Sequence, residues 1–155
     1  MASSIRSIPK KWIYVGFVSL PILAWAMFWI HATYGVSRIS DKKLHTAWKT
    51  GKIWGVVDVR TNTEWNQGHF LDAVHVPVQD IREEHPVINS LRLESERIWR
   101  ERTDDERRCL LVYCRTGNRA RYAVEKMREF MPKHTCIIYT TLTYEEIERL
   151  VGVGV

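Results

Sequence analysis

The chain has 155 residues, 45% of them hydrophobic and 26% charged, with a formal net charge of +5 and three cysteines. That length holds one ordinary domain and little else, and the composition excludes a disordered or collagen-like chain. The positive charge does not point to a nucleic-acid partner: in "RLESERIWRERTDDERR", residues 92–108, bases and acids interleave as on a solvated helix face.

In chain order, residues 1–11 form a basic tail carrying Arg6, Lys10 and Lys11. Trp12 to Tyr34 then gives 23 residues without Lys, Arg, Asp or Glu. At about 1.5 Å per residue, a helix of that length crosses a hydrocarbon layer of roughly 30 Å. Trp12, Tyr14, Trp29 and Tyr34 fall where interfacial aromatic belts form, and Pro21 is tolerated as a kink. A buried core helix would carry a polar face, which this run lacks. A cleaved signal peptide suits the basic start, but not the length, the tryptophans or the missing small-residue cleavage site. One transmembrane helix over 12–34 is therefore expected, in a single-pass membrane protein. Arg38, Lys42, Lys43 and Lys49 follow the span closely, so the charge asymmetry that sets orientation is weak. The basic, serine-containing start also suits an organellar targeting sequence running into an anchor.

From Val36 onward strands and helices alternate. Ser40 is a plausible N-cap for a helix that ends at Gly51, with Leu44, Ala47 and Trp48 on one face. "IWGVVDV" (53–59) reads as a strand, "TNTEWNQG" (61–68) as a short capped helix closed by Gly68, and "AVHVPV" (73–78) as a strand ended by Pro77. Residues 79–102 read as helical, broken around Pro86. "CLLVY" (109–113) is a buried strand. A helix beginning near Arg119 carries Ala120, Ala123, Val124, Met127 and Met131 at helical spacing. "TCIIY" (135–139) is the next strand, and Thr143 with Glu146 makes a capping box for a last helix. The alternation predicts an α/β fold: an open parallel sheet with helices on both faces over 37–151, leaving 152–155 as a tail.

In such sheets chemistry gathers where strands end and loops enter helices. "YCRTGNRA" (113–120) sits at such a place. Cys114 heads a tight loop whose backbone N–H groups can converge at a helix N-terminus as an anion cradle, with Gly117 freeing the turn and Arg115 and Arg119 adding positive charge. Thiolate is favoured in those surroundings without a histidine base. Cys114 is thus the candidate nucleophile. Arg115, Thr116, Gly117, Asn118 and Arg119 are candidate substrate-binding residues around it.

"VVDVRTNTEWNQGHFLDAVHVPV" (56–78) followed by "VYCRTGNRA" (112–120) resembles the single-domain rhodaneses, the thiosulfate sulfurtransferases. Asp58, Arg60, Glu64, Trp65, Gly68, His69, Ala73 and Pro77 match one family pattern. Cys114, Arg115, Gly117, Arg119 and Ala120 match the active-site signature. The resemblance implies a rhodanese-like fold and an enzyme without cofactor that moves a sulfane sulfur through a Cys114 persulfide. Its donor is a small anion such as thiosulfate, and its acceptor a thiol, cyanide or a protein cysteine. Relatives commonly continue after the last strand with a glycine pair and a tryptophan-bearing helix. Thr140, Thr141 and Leu142 stand here instead, which alters the pocket's far wall.

Four residues separate Cys114 from Arg119, where the related phosphatases have five. A cysteine-dependent phosphatase is therefore a lesser alternative, and a non-catalytic membrane-tethered docking module another. Arg115 is expected to draw in an anionic donor and Arg119 to fasten the loop. Asp58 and Arg60 are expected to pair as structural support, and Glu64 and His69 also look structural. Cys109 and Cys136 each open an apolar strand and read as buried small side chains, with no Cys-x-x-Cys or Cys/His spacing for a metal. Cys136 is kept as an alternative resolving thiol for the persulfide.

Overall fold

The computed structural model describes residues 36–103 and 107–152. The expected anchor at 12–34 and most of the C-terminal tail lie outside the described residues. Among the described residues no helix is long and apolar enough to cross a membrane.

Five strands alternate with helices: β1 (Ser37–Arg38), α1 (Asp41–Lys49), β2 (Ile53–Asp58), α2 (Asn62–Asn66), β3 (Ala73–His75), a 3₁₀ turn (Val78–Asp80), α3 (Pro86–Glu101), β4 (Cys109–Tyr113), α4 (Asn118–Phe130), β5 (Cys136–Tyr139) and α5 (Tyr144–Val151). All strands are parallel, in the order β1-β5-β4-β2-β3. The expected α/β architecture is what forms. Side-chain alternation along β4 builds it: Leu110 and Val112 face one side and Leu111 and Tyr113 the other. On the first face, Val57, Leu110, Val112 and Ile137 pack against Ile88 and Leu91 of α3 and Ala120, Ala123, Val124 and Met127 of α4. On the second, Val56, Leu111, Tyr113 and Ile138 meet Leu44 of α1, Ile147 of α5 and Phe70. A central parallel strand buried on both faces has no polar side to show, which is why "CLLVY" is unbroken.

The local signals behave unevenly. Thr61 and Glu64 close one capping box and Thr143 and Glu146 another, each side chain accepting from the other's backbone N–H. Ser40 takes the N-cap position of α1 without a side-chain bond, and Gly51, with φ +66 directly after the C-cap Thr50, stops the helix as expected. Pro86 does not break a helix: it occupies the first turn of α3, where its missing N–H costs nothing. β1 was not expected, because two residues carry no readable period. Its pairing with β5 places Ser37 opposite Ile138.

Candidate active site

The site is assembled at the C-terminal ends of β2 and β4. Asp58 and Tyr113 are register partners there, both fully buried. The Tyr113 hydroxyl donates to Asp58 Oδ2 at 2.7 Å and accepts from the Phe70 N–H at 3.1 Å. Burial, followed by the bond to Asp58, pushes the Tyr113 phenol well above its ordinary range. Arg60 curls back onto the same carboxylate, donating from its backbone N–H at 2.8 Å and from Nε and Nη2 at 2.7–3.0 Å. Nη2 also reaches the Gly68 carbonyl at 2.6 Å. Burial pulls Arg60 down, but its bonds and charge pairing with Asp58 outweigh that and leave it raised. A buried carboxylate is tolerable only when paired and fully hydrogen-bonded, and this one is. Asp58 and Arg60 therefore form the ion pair named from the sequence, completed by Tyr113.

The Cys114 loop follows directly. Its Sγ accepts the Gly117 N–H at 3.1 Å. Gly117 has φ +86 and caps α4; a Cβ there would lie 2.6 Å from Thr141 Cγ2. Thr140 and Thr141, the residues that depart from the family pattern, thus back the loop, and Arg38 holds Thr141 Oγ1 at 2.9 Å. Arg119 makes two bonds to Glu64, 2.6 and 2.7 Å, tying the start of α4 to α2. That pairing holds the Glu64 carboxyl well below its usual range, against burial, and raises Arg119 in turn.

Cys114 has no exposed surface, yet it lines a pocket of about 370 Å³ together with Arg60, Glu64, Gln67, Arg115, Thr143, Tyr144 and Glu145. Of the residues proposed to surround the thiol, only Arg115 reaches this pocket. Thr116 and Asn118 are exposed beside it, Gly117 is buried beneath it, and Arg119 is occupied by Glu64. Arg115 is exposed, and among the described residues no ion pair engages it. The far wall is α5: the Tyr144 ring lies 4.9 Å from the Arg60 guanidinium and against Gly68, where a Cβ would sit 2.4 Å from Tyr144 Oη. Sequence reasoning missed Tyr113, Gln67, Tyr144 and Glu145. The capping box that starts α5 was the one signal that led toward the last two. His69 stacks on Trp65 at 3.5 Å and its Nδ1 contacts the Trp65 carbonyl, away from the thiol.

Two expectations need correction. Cys109 and Cys136 are not buried free thiols but a disulfide, Cα–Cα 4.5 Å, and neither is fully buried. They are register partners at the first positions of β4 and β5, so strand pairing itself brings them together. For the same reason Cys136 is not a resolving thiol: it lies at the opposite end of the sheet from Cys114, the single free cysteine. Among the described residues no group of three or more His, Cys, Asp or Glu is placed to hold a metal ion.

In fold, the chain is similar to a human single-domain sulfurtransferase (20% identity, 72% of this chain and 95% of that one, TM-score 0.48). It is similar also to the Saccharomyces cerevisiae single-domain sulfurtransferase RDL2 (20% identity, 77% and 94%, TM-score 0.45). A further likeness is to the reduced CoADR-RHD of Bacillus anthracis (15% identity, TM-score 0.42), where 77% of this chain spans 18% of that one. Among curated proteins no significant match is found. A family model for the rhodanese-like domain matches residues 40–144, which takes in Asp58, Arg60, the whole Cys114 loop and Tyr144. This chain belongs to the rhodanese-like domain family.

Proposed function

We propose that the protein is a membrane-anchored sulfurtransferase that moves a sulfane sulfur from a small anionic donor, such as thiosulfate, to a thiophilic acceptor. The observation that carries this reading is the Gly117 N–H aimed at Cys114 Sγ from 3.1 Å, inside a six-residue loop that opens beside an exposed, unpaired arginine. The Cys114 thiolate attacks the outer sulfur of thiosulfate. A new S–S bond forms, the donor's S–S bond breaks, and sulfite leaves with the electron pair. The persulfide left on Cys114 then passes its terminal sulfur to an acceptor nucleophile, which regenerates the thiolate. This is covalent catalysis of the double-displacement kind. Arg115 supplies charge for the incoming anion, and the fixed loop donor stabilises the sulfur that carries negative charge. Arg119, paired with Glu64, keeps the loop in place. The uncharged run at 12–34 supplies the anchor.

Purified protein is incubated with thiosulfate, and its intact mass is read before and after cyanide. One added sulfur on Cys114, discharged by cyanide as thiocyanate, is expected. A folded protein that gains no sulfur overturns the reading in favour of a docking module. For the anchor, full-length protein that leaves membranes in high salt or carbonate would contradict it.

A further inference from the structure

We infer that Cys109 and Cys136 form a second thiol-reactive centre, a reversible disulfide that exchanges with low-molecular-weight thiols and sets the stability of the domain that carries the Cys114 loop. The centre stands apart from the proposed sulfur transfer and does not rest on it. Three observations carry the inference. First, β4 and β5 are parallel neighbours, so no hairpin joins them, and their connection runs through the Cys114 loop and all of α4. The bridge, with a sequence separation of 27, therefore closes a covalent ring around the candidate nucleophile, its loop and the helix it caps. Second, neither cysteine is fully buried, and Cys136 lines a surface pocket with Trp54, Trp99 and His134. Both pack at the margin of the core beneath α1 and α5, whereas Cys114 belongs to the core on the other face. Third, the strand pairing outlasts the bridge. The Cys109 N–H donates to the Lys52 carbonyl at 2.7 Å, and the β2–β4 and β4–β5 ladders run the length of the strands. The dithiol form thus keeps its fold.

Five residues of β4 at about 3.3 Å each put the bridge roughly 16 Å from Cys114, too far for the two centres to exchange sulfur in the folded protein. Reduction balances with thiols alone. A thiolate attacks one bridge sulfur and the other leaves as cysteine thiolate. A second thiol then displaces the mixed disulfide, so that two thiols become one disulfide and Cys109 and Cys136 gain two electrons and two protons. Opening the ring frees the unfolded chain, so the reduced protein is the less stable one.

The test uses full-length protein carrying Cys114→Ser, in mild detergent. It is equilibrated with a series of reduced-to-oxidised glutathione ratios, then denatured in iodoacetamide and weighed. No adduct is expected at the oxidising end and two at the reducing end, reversibly, with a melting temperature about 10 °C lower for the reduced form. Cys109→Ser should melt at the lower temperature at every ratio. Two adducts at all ratios, none until the protein is unfolded, or equal melting temperatures of the two forms would each overturn the inference.

Discussion

Arg119 and Glu64 lie 55 residues apart in sequence and meet through two hydrogen bonds, 2.6 and 2.7 Å long, that lock the Cys114 loop to α2. Glu64 Oε2 also accepts the Thr61 N–H, which closes the capping box of α2. One carboxylate therefore orders two of the elements that bound the pocket. Its ionisation has a consequence for stability. The folded-state pKa lies below the unfolded value of about 4.3, so the stabilisation is present above that value and fades as pH falls below it.

Glu64→Gln should accordingly cost about 1–2 kcal/mol at pH 7, a partly exposed pair being worth less than a buried one. The gap between variant and wild type should narrow as pH drops below about 4. Urea unfolding at pH 7 and pH 3 measures both. An equal gap at the two values would mean that the Arg119 pairing is not what Glu64 contributes.

Tyr113→Phe removes the hydroxyl that joins Asp58 to the Phe70 N–H, both of them buried. It leaves the buried Phe70 amide without its partner and takes one of three donors from Asp58 Oδ2, at a cost of about 1–3 kcal/mol. Chemical denaturation reads this directly. A neutral substitution would show that the Arg60 contacts satisfy Asp58 unaided.

The two arginines of the signature should separate. Arg115→Ala should raise KM for thiosulfate several-fold with little change in kcat, the mark of lost charge attraction shared by ground and transition states. Arg119→Ala should instead lower the melting temperature and kcat, because it frees the loop from α2. Indistinguishable variants in steady-state kinetics and thermal melts would remove the division of roles.

Gly68→Ala should be destabilising by about 1–3 kcal/mol, since φ is +145 and the new methyl collides with Tyr144. Adding Tyr144→Ala should recover the collision but not the backbone strain. Strict additivity in the double-mutant cycle would exclude the contact as the cause.

The elements after β1 and the nucleophile's loop were legible in the linear chain because each depends on neighbours a few residues away. The unbroken apolar run of β4, the Thr143–Glu146 capping box and the Cys114–Arg119 spacing are short-range patterns with short-range causes. The Asp58–Arg60 pair, two residues apart, was readable for the same reason. The Glu64–Arg119 bridge, Tyr113 beneath Asp58 and the Tyr144 wall join positions 55 or more residues apart, through the strand order β1-β5-β4-β2-β3. No local period encodes that order. Cys109 and Cys136 show the division most plainly. Each looks like a small apolar residue opening a strand, and only the in-register pairing of β4 with β5 sets them 4.5 Å apart and makes them one bond.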